Sequence, residues 1–175
     1  MKTIYLDMDG VMADWNKGVY DILGWVKSDP NAQYSEADWA KVTSNHRIYG
    51  QLPVMDKAEE LANLARRFRD ELGWQILFLT AVPKGNDVHW AFWDKCQWAQ
   101  KYFPDIPVHF GPFAKQKCEH CKPGDILVDD RRSNCSEWRG ANGVAVEVTG
   151  PDLAPAIAEL FQIFQNLKGQ LSSVD

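Results

Sequence analysis

The sequence predicts an α/β fold, a parallel sheet with helices on both faces. Two observations predict it. Five short apolar runs bounded by turn residues (Thr3–Leu6, Gln75–Leu79, Val108–Phe110, Asp125–Val128 and Val144–Val148) read as strands buried on both sides. Segments of helical period lie between them, joined by short links, as parallel strands require. A chain of 175 residues, 45% hydrophobic and 25% charged, has the balance of an ordinary globule and buries a core without disulfide staples.

In chain order, the first strand runs into Asp7-Met8-Asp9-Gly10. From about Asp14 to Asp70 there is no convincing strand. That stretch holds Trp15, Trp25, Tyr34, Trp39 and Tyr49, with loop signals at Ser28-Asp29-Pro30-Asn31 and Gln51-Leu52-Pro53. A structureless connection of that length is foreign to a compact domain. Residues 14–70 are therefore expected to form a small helical cap inserted after the first strand, with 1–13 and 71–175 as the core. Asp56-Lys57-Ala58-Glu59 reads as a capping-box-like start for a helix carrying Leu61, Leu64, Ala65 and Phe68, with Gly73 as its stop. Asn86 or Asp87 is expected to cap a second helix, with the stripe Val88, Phe92, Cys96, Ala99 and Phe103. Beyond Pro151 and Pro155, the positions Ile157, Leu160, Phe161 and Phe164 define a third, closed by Gly169.

Composition excludes several classes. A net charge of −5 and a pI near 5.4 leave no basic surface for long nucleic acid. No run approaches the ~18 apolar residues of a membrane span. Met1 to Asp7 turns acidic before a signal-peptide core forms, and four cysteines are too few for a disulfide framework, so a cytoplasmic protein with reduced thiols is expected. Cys118-Glu119-His120-Cys121 has the spacing of half a zinc hook, but no second pair with good spacing completes four ligands.

In open parallel sheets ligands bind beyond the carboxyl ends of the strands. Asp7 and Asp9 follow the first strand, Thr80 the second and Asp129-Asp130 the fourth. Carboxylates brought together there need a cation, and hard oxygen donors without histidine or thiol select Mg²⁺. An aspartate beside Mg²⁺ is a competent nucleophile toward a phosphoryl group. Asp9, two residues on along an extended chain, can act as acid and then base. Gly10 permits the sharp exit. Taken singly, each motif is an ordinary turn or N-cap; jointly they point to a site.

The segments Ile4-Tyr5-Leu6-Asp7-Met8-Asp9-Gly10-Val11, Ile76-Leu77-Phe78-Leu79-Thr80 and Gly124-Asp125-Ile126-Leu127-Val128-Asp129-Asp130-Arg131 resemble motifs one, two and four of the haloacid dehalogenase (HAD) superfamily. Within it, Asp7 to Asp14 together with Asp125 to Arg131 resembles the 5′(3′)-deoxyribonucleotidase family and its phage and bacterial relatives. The resemblance implies a Rossmann-like core of five parallel strands with the cap after strand one. It implies Asp7 as nucleophile, forming an aspartyl-phosphate, and Asp9 as general acid/base whose carbonyl also binds metal. Thr80 and the Ala81 N–H would hold the phosphate. Asp129 would complete the Mg²⁺ shell, with Asp130 behind it. Motif three needs a lysine, and Lys117 is preferred over Lys115 because it lies nearer motif four.

The implied activity is Mg²⁺-dependent hydrolysis of a nucleoside monophosphate, most simply a deoxyribonucleotide. Another small phosphomonoester, a polynucleotide end or a non-catalytic module of the same fold remain alternatives. The segment returning from the cap would line the pocket, which makes His46, Arg47 and Tyr49 candidates, with a solvated loop as the alternative. Trp25 and Trp39 offer aromatic faces for a base. Arg131 or Arg132 would anchor a second anionic group or form a surface ion pair. The partner expected is a small-molecule nucleotide, and the Trp-rich helix with Trp90, Trp93 and Trp98 offers a homodimer face.

Overall fold

The computed structural model describes residues 1–28, 32–44, 47–83, 88–111 and 114–172, the side chains of 114, 115 and 172 excepted. Its five strands are β1 (Thr3–Leu6), β2 (Gln75–Thr80), β3 (Val108–Phe110), β4 (Ile126–Asp129) and β5 (Val144–Glu147). They form one sheet in the order β3-β2-β1-β4-β5, parallel throughout. The α/β class and the five expected strands are as the sequence predicts, with ends differing by one residue.

Alternation along the strands feeds two apolar layers. Ile4, Leu6, Phe78 and Val128 enter the larger cluster, whereas Tyr5, Leu79, Leu127 and Ala145 enter a second one. The larger layer is closed by α4 (Ala58–Leu72) and α7 (Ala154–Ser172), which pack on each other and on β2 and β5. Phe68 of α4 meets Phe164 of α7 edge-on at 5.0 Å. Burying a side chain such as Phe68 contributes about 1.5–3 kcal/mol. The second layer is closed by α6 (Arg132–Gly140), whose Trp138 stands edge-on to Tyr5 at 5.1 Å.

The insertion contains α1 (Trp15–Leu23), α2 (Glu36–Ser44) and the short α3 (Ile48–Gln51). Asp14 caps α1 by accepting from the Lys17 N–H at 2.9 Å. The chain leaves and re-enters the core at one place. Ala13 bridges Val54, the Asp14 N–H donates to the Pro53 carbonyl, and the Met55 N–H donates to that of Met12. The cap boundary expected at residue 70 is thereby corrected, because the chain has returned by Met55 and α4 packs in the core layer on β2 and α7.

Three local expectations also change. Lys57 adopts a left-handed conformation at φ 60° and caps α4 without a side-chain bond, so the capping-box start at Asp56 does not form. Gly73 stops that helix in the left-handed region as expected. Gly169 does not close α7, which runs on to Ser172. The helix α5 (Ala91–Tyr102) buries Ala91, Asp94, Lys95, Trp98 and Ala99, and of the expected stripe Val88, Ala99 and Phe103 are buried but Phe92 is not. Phe92 and Trp93 are instead exposed. The expected caps Asn86 and Asp87 lie outside the described residues. No helix among the described residues is long and apolar enough to cross a membrane.

Candidate active site

The sheet order places the site. The chain runs outward from β1 through β2 to β3 and then returns to the other side of β1 for β4 and β5. The carboxyl ends of β1 and β4 therefore flank the point where the direction of winding reverses, the usual position of a ligand crevice. Asp7 follows β1 and Asp129 ends β4, and the two ends are tied by the Asp7 N–H donating to the Val128 carbonyl at 2.9 Å.

Asp7, Asp129 and Asp130 each offer a carboxylate oxygen, and these atoms lie within 4.8 Å of one another. The Lys117 ammonium bridges Asp7 and Asp129 at 2.7 Å each and is 1% exposed. It reaches them from the 3-10 helix Ala114–His120 between β3 and β4. Burial opposes its charge, but Asp129 and Asp7 more than offset that and hold its pKa above the ordinary lysine value. The alternative lysine, Lys115, has a side chain outside the described residues.

Asp129 is saturated by donors. Its Oδ1 accepts from the Arg131 N–H at 2.8 Å, Asn134 Nδ2 reaches both oxygens at 3.0 Å, and Lys117 takes Oδ2. Asp130 accepts no hydrogen bond among the described residues. Burial, then Asp7 and Asp129, push its carboxyl up to about 8. A cation would relieve that repulsion, and Asp130 is the carboxylate with lone pairs to give it. Asp129, expected to complete the Mg²⁺ shell, and Asp130, expected behind it, both stand in one carboxylate group with Asp7. Three oxygen donors without nitrogen or sulfur suit Mg²⁺.

Gly10 explains how Asp130 comes so close. Its φ of +82° suits only glycine, and a Cβ there would lie 2.4 Å from Asp130 Oδ2. Met8 to Ala13 closes as a tight turn, with the Met12 and Ala13 N–H groups donating to the Met8 carbonyl.

Asp9 takes a different partner. The Lys95 ammonium lies 2.5 Å from Asp9 Oδ2 and donates to Thr80 Oγ1 at 2.8 Å. Burial pushes the Asp9 carboxyl above its usual value, Lys95 opposes this and Asp7 adds to it. The buried Asp9 Oδ1 has no hydrogen-bond partner among the described residues. Lys95 was not among the sequence candidates. The residues at 91, 94, 95, 98 and 99 do have the spacing of one helix face, but two of the five are charged, so a search for apolar stripes passes over them.

A cleft of about 1080 Å³ opens above these groups, lined by Asp7, Asp9, Ala81, Lys117 and Asp130 at its base. The insertion contributes Trp15, Tyr34, Trp39 and Tyr49 to its wall. Trp15 stacks on Tyr49 at 5.5 Å and 25°, and the Lys95 ammonium lies 4.5 Å from the centre of the Tyr49 ring. Arg131 and Arg132 also line the cleft and make no ion pair among the described residues. Trp25 packs on Tyr34 at 5.7 Å and is not a lining residue.

The chain matches no protein-family model and no curated protein. Among solved structures, a candidate beta-phosphoglucomutase from Thermotoga maritima is 16% identical with a TM-score of 0.47, covering 91% of each chain. A HAD family enzyme from Bacteroides thetaiotaomicron, an aspartate-to-alanine mutant in complex with magnesium and inorganic phosphate, is 12% identical. Its TM-score is 0.41, over 88% of this chain and 97% of that one. Likeness at these scores carries no argument about chemistry, which rests on the site itself.

Of the remaining candidates, His46 lies outside the described residues. Arg47 does not line the cleft. It pairs with Asp94 of α5 and lies over the Trp90 ring at 5.4 Å, so its expected role in the pocket is corrected to anchoring the insertion. The Leu52 carbonyl accepting from Trp98 Nε1 at 2.7 Å adds to that anchor. Asn134 was missed by sequence reasoning, as a polar residue inside a helix gives no signal of a partner five residues upstream.

Proposed function

We propose that this chain is a Mg²⁺-dependent phosphomonoester hydrolase of the HAD superfamily, acting on (deoxy)nucleoside monophosphates through an aspartyl-phosphate. The observation that carries the reading is the convergence of Asp7, Asp129 and Asp130 around one point, with Lys117 bridging two of them at the base of an aromatic-walled cleft. That arrangement supports anion chemistry, because Lys117 offsets the charge of nucleophile and phosphate together.

An Asp7 oxygen attacks phosphorus and the bond from phosphorus to the leaving oxygen breaks. Asp9, kept protonated more readily by its burial, gives its proton to that oxygen. Asp9 then takes a proton from water as the water oxygen attacks phosphorus, and the bond from Asp7 to phosphorus breaks. Thr80 and the Ala81 N–H hold the non-bridging oxygens. Asp7, Asp129 and Asp130 with the Asp9 carbonyl would hold Mg²⁺, which would supply neutralisation of the charge between nucleophile and phosphate. The rings of Trp15, Tyr34, Trp39 and Tyr49 support a planar base as the rest of the substrate, and the unpaired Arg131 and Arg132 support an anionic one.

The test is phosphate release from a panel of ribo- and deoxyribonucleoside 5′- and 3′-monophosphates and sugar phosphates, with Mg²⁺ and with EDTA. Metal-dependent turnover of nucleotides well above that of sugar phosphates is the expected result. Turnover of a generic aryl phosphate alone overturns the substrate class, and no turnover of anything overturns the activity.

A further inference from the structure

Lys95 is 1% exposed in the middle of α5, with its ammonium on two groups of the site, Asp9 Oδ2 and Thr80 Oγ1. A lysine in such a place must be held by what it contacts, since an unpaired buried ammonium is costly. Its contacts are not those of Lys117, which faces Asp7 and Asp129. Lys95 thus adds a second cation to the catalytic base of the cleft, from an element with no motif to announce it.

Resting on the phosphohydrolase reading above, we infer that Lys95 is a positioning residue that sets the orientation of the Asp9 carboxyl for proton exchange and which way the Thr80 hydroxyl points. An ammonium has three donors and no acceptor. By taking Asp9 Oδ2 it fixes the rotation of the carboxyl, whose buried Oδ1 has no hydrogen-bond partner among the described residues to hold it instead. By donating to Thr80 Oγ1 it makes that atom an acceptor, so the hydroxyl proton turns elsewhere. Among the described residues its other partner is the Ala81 carbonyl at 3.4 Å, a weak bond that a phosphate oxygen readily replaces. The Tyr49 ring, 4.5 Å above the ammonium, closes the remaining side from the insertion, so the cap also braces this lysine.

The consequence is selective. Departure of an alkoxide, as from a nucleotide, needs the Asp9 proton, whereas a nitrophenolate leaves without one. In Lys95→Met, kcat/KM for nucleotides is expected to fall by ~10²-fold, the size of a misplaced catalytic group. For p-nitrophenyl phosphate kcat/KM falls by less, because only the Thr80 contact to the phosphate is disturbed, and a burst of nitrophenolate appears because return of the proton from water has become slow. Equal losses on both substrates, or none on either, overturn the inference while leaving the activity standing.

A measurement on the unaltered chain covers the case in which Lys95→Met does not fold. The Lys95 Nζ signal in ¹⁵N NMR is expected to exchange slowly with solvent and to shift in Asp9→Asn. An Nζ signal that exchanges as fast as surface lysines overturns the inference. If the unaltered chain hydrolyses no phosphomonoester, the reading of the site fails with its catalytic consequence. The NMR result then separates that failure from an error in the Lys95 geometry.

Discussion

Two buried lysines hold the two aspartates of the Asp7-Met8-Asp9 turn, and their surroundings differ. Lys117 sits between two carboxylates, one of which is saturated by Asn134, Lys117 itself and the Arg131 N–H. Lys95 sits between one carboxylate and a hydroxyl, and the buried second oxygen of its carboxylate has no hydrogen-bond partner among the described residues. The Asp7 half of the site is locked by charge, whereas the Asp9 half is held through one oxygen only, which on the proposed reading suits a nucleophile and an acid. The difference assigns labour: one lysine offsets charge, the other fixes direction.

Removing each lysine sharpens that contrast. Lys117→Met leaves Asp7 and Asp129 buried without a cation, a loss of about 3–5 kcal/mol. The expected result is a Tm lower by roughly 10 °C for a chain of this size, with turnover abolished. Lys95→Met strands only one carboxylate, in a side chain 27% exposed, and is expected to lower Tm by less. Thermal melts of both variants in EDTA give the ranking, and the reverse order would break the comparison.

A smaller effect comes from Gly10, through which the nucleophile's turn meets Asp130. Gly10→Ala puts a side chain at φ +82° and a Cβ 2.4 Å from Asp130 Oδ2. Strain of that kind costs about 1–3 kcal/mol, so Tm in EDTA falls by a few degrees, while the further stabilisation by Mg²⁺ shrinks because Asp130 is displaced. An unchanged Mg²⁺ response would remove Asp130 from the metal site.

The groups that both lysines hold were legible, and so was Lys117 but not Lys95, for a topological reason. Asp7, Thr80 and Asp129 end strands, so recognising strands located them, and Lys117 belongs to the loop that feeds β4. Lys95 belongs to the middle of a helix, where the period of apolar residues is the signal, and it occupies a position that the period assigns to the core. The insertion was visible as a stretch without strands, but not its end. The pairing of Ala13 with Val54 that marks the return is a contact between segments about forty residues apart, and nothing local encodes it. Likewise, Asp129 is bonded by Asn134 and Lys117, which only the fold brings to it.

The central claim is that Asp7 carries the phosphoryl group and Asp9 is needed to release it. Asp9→Asn, mixed with p-nitrophenyl phosphate and Mg²⁺, quenched in acid and weighed intact, tests both at once. The account predicts a chain heavier by one phosphoryl group, mapped to the peptide containing Asp7, because the leaving group departs unaided and water is not activated. An unmodified mass under conditions where nitrophenolate is released, or a phosphoryl group on any other residue, would contradict it.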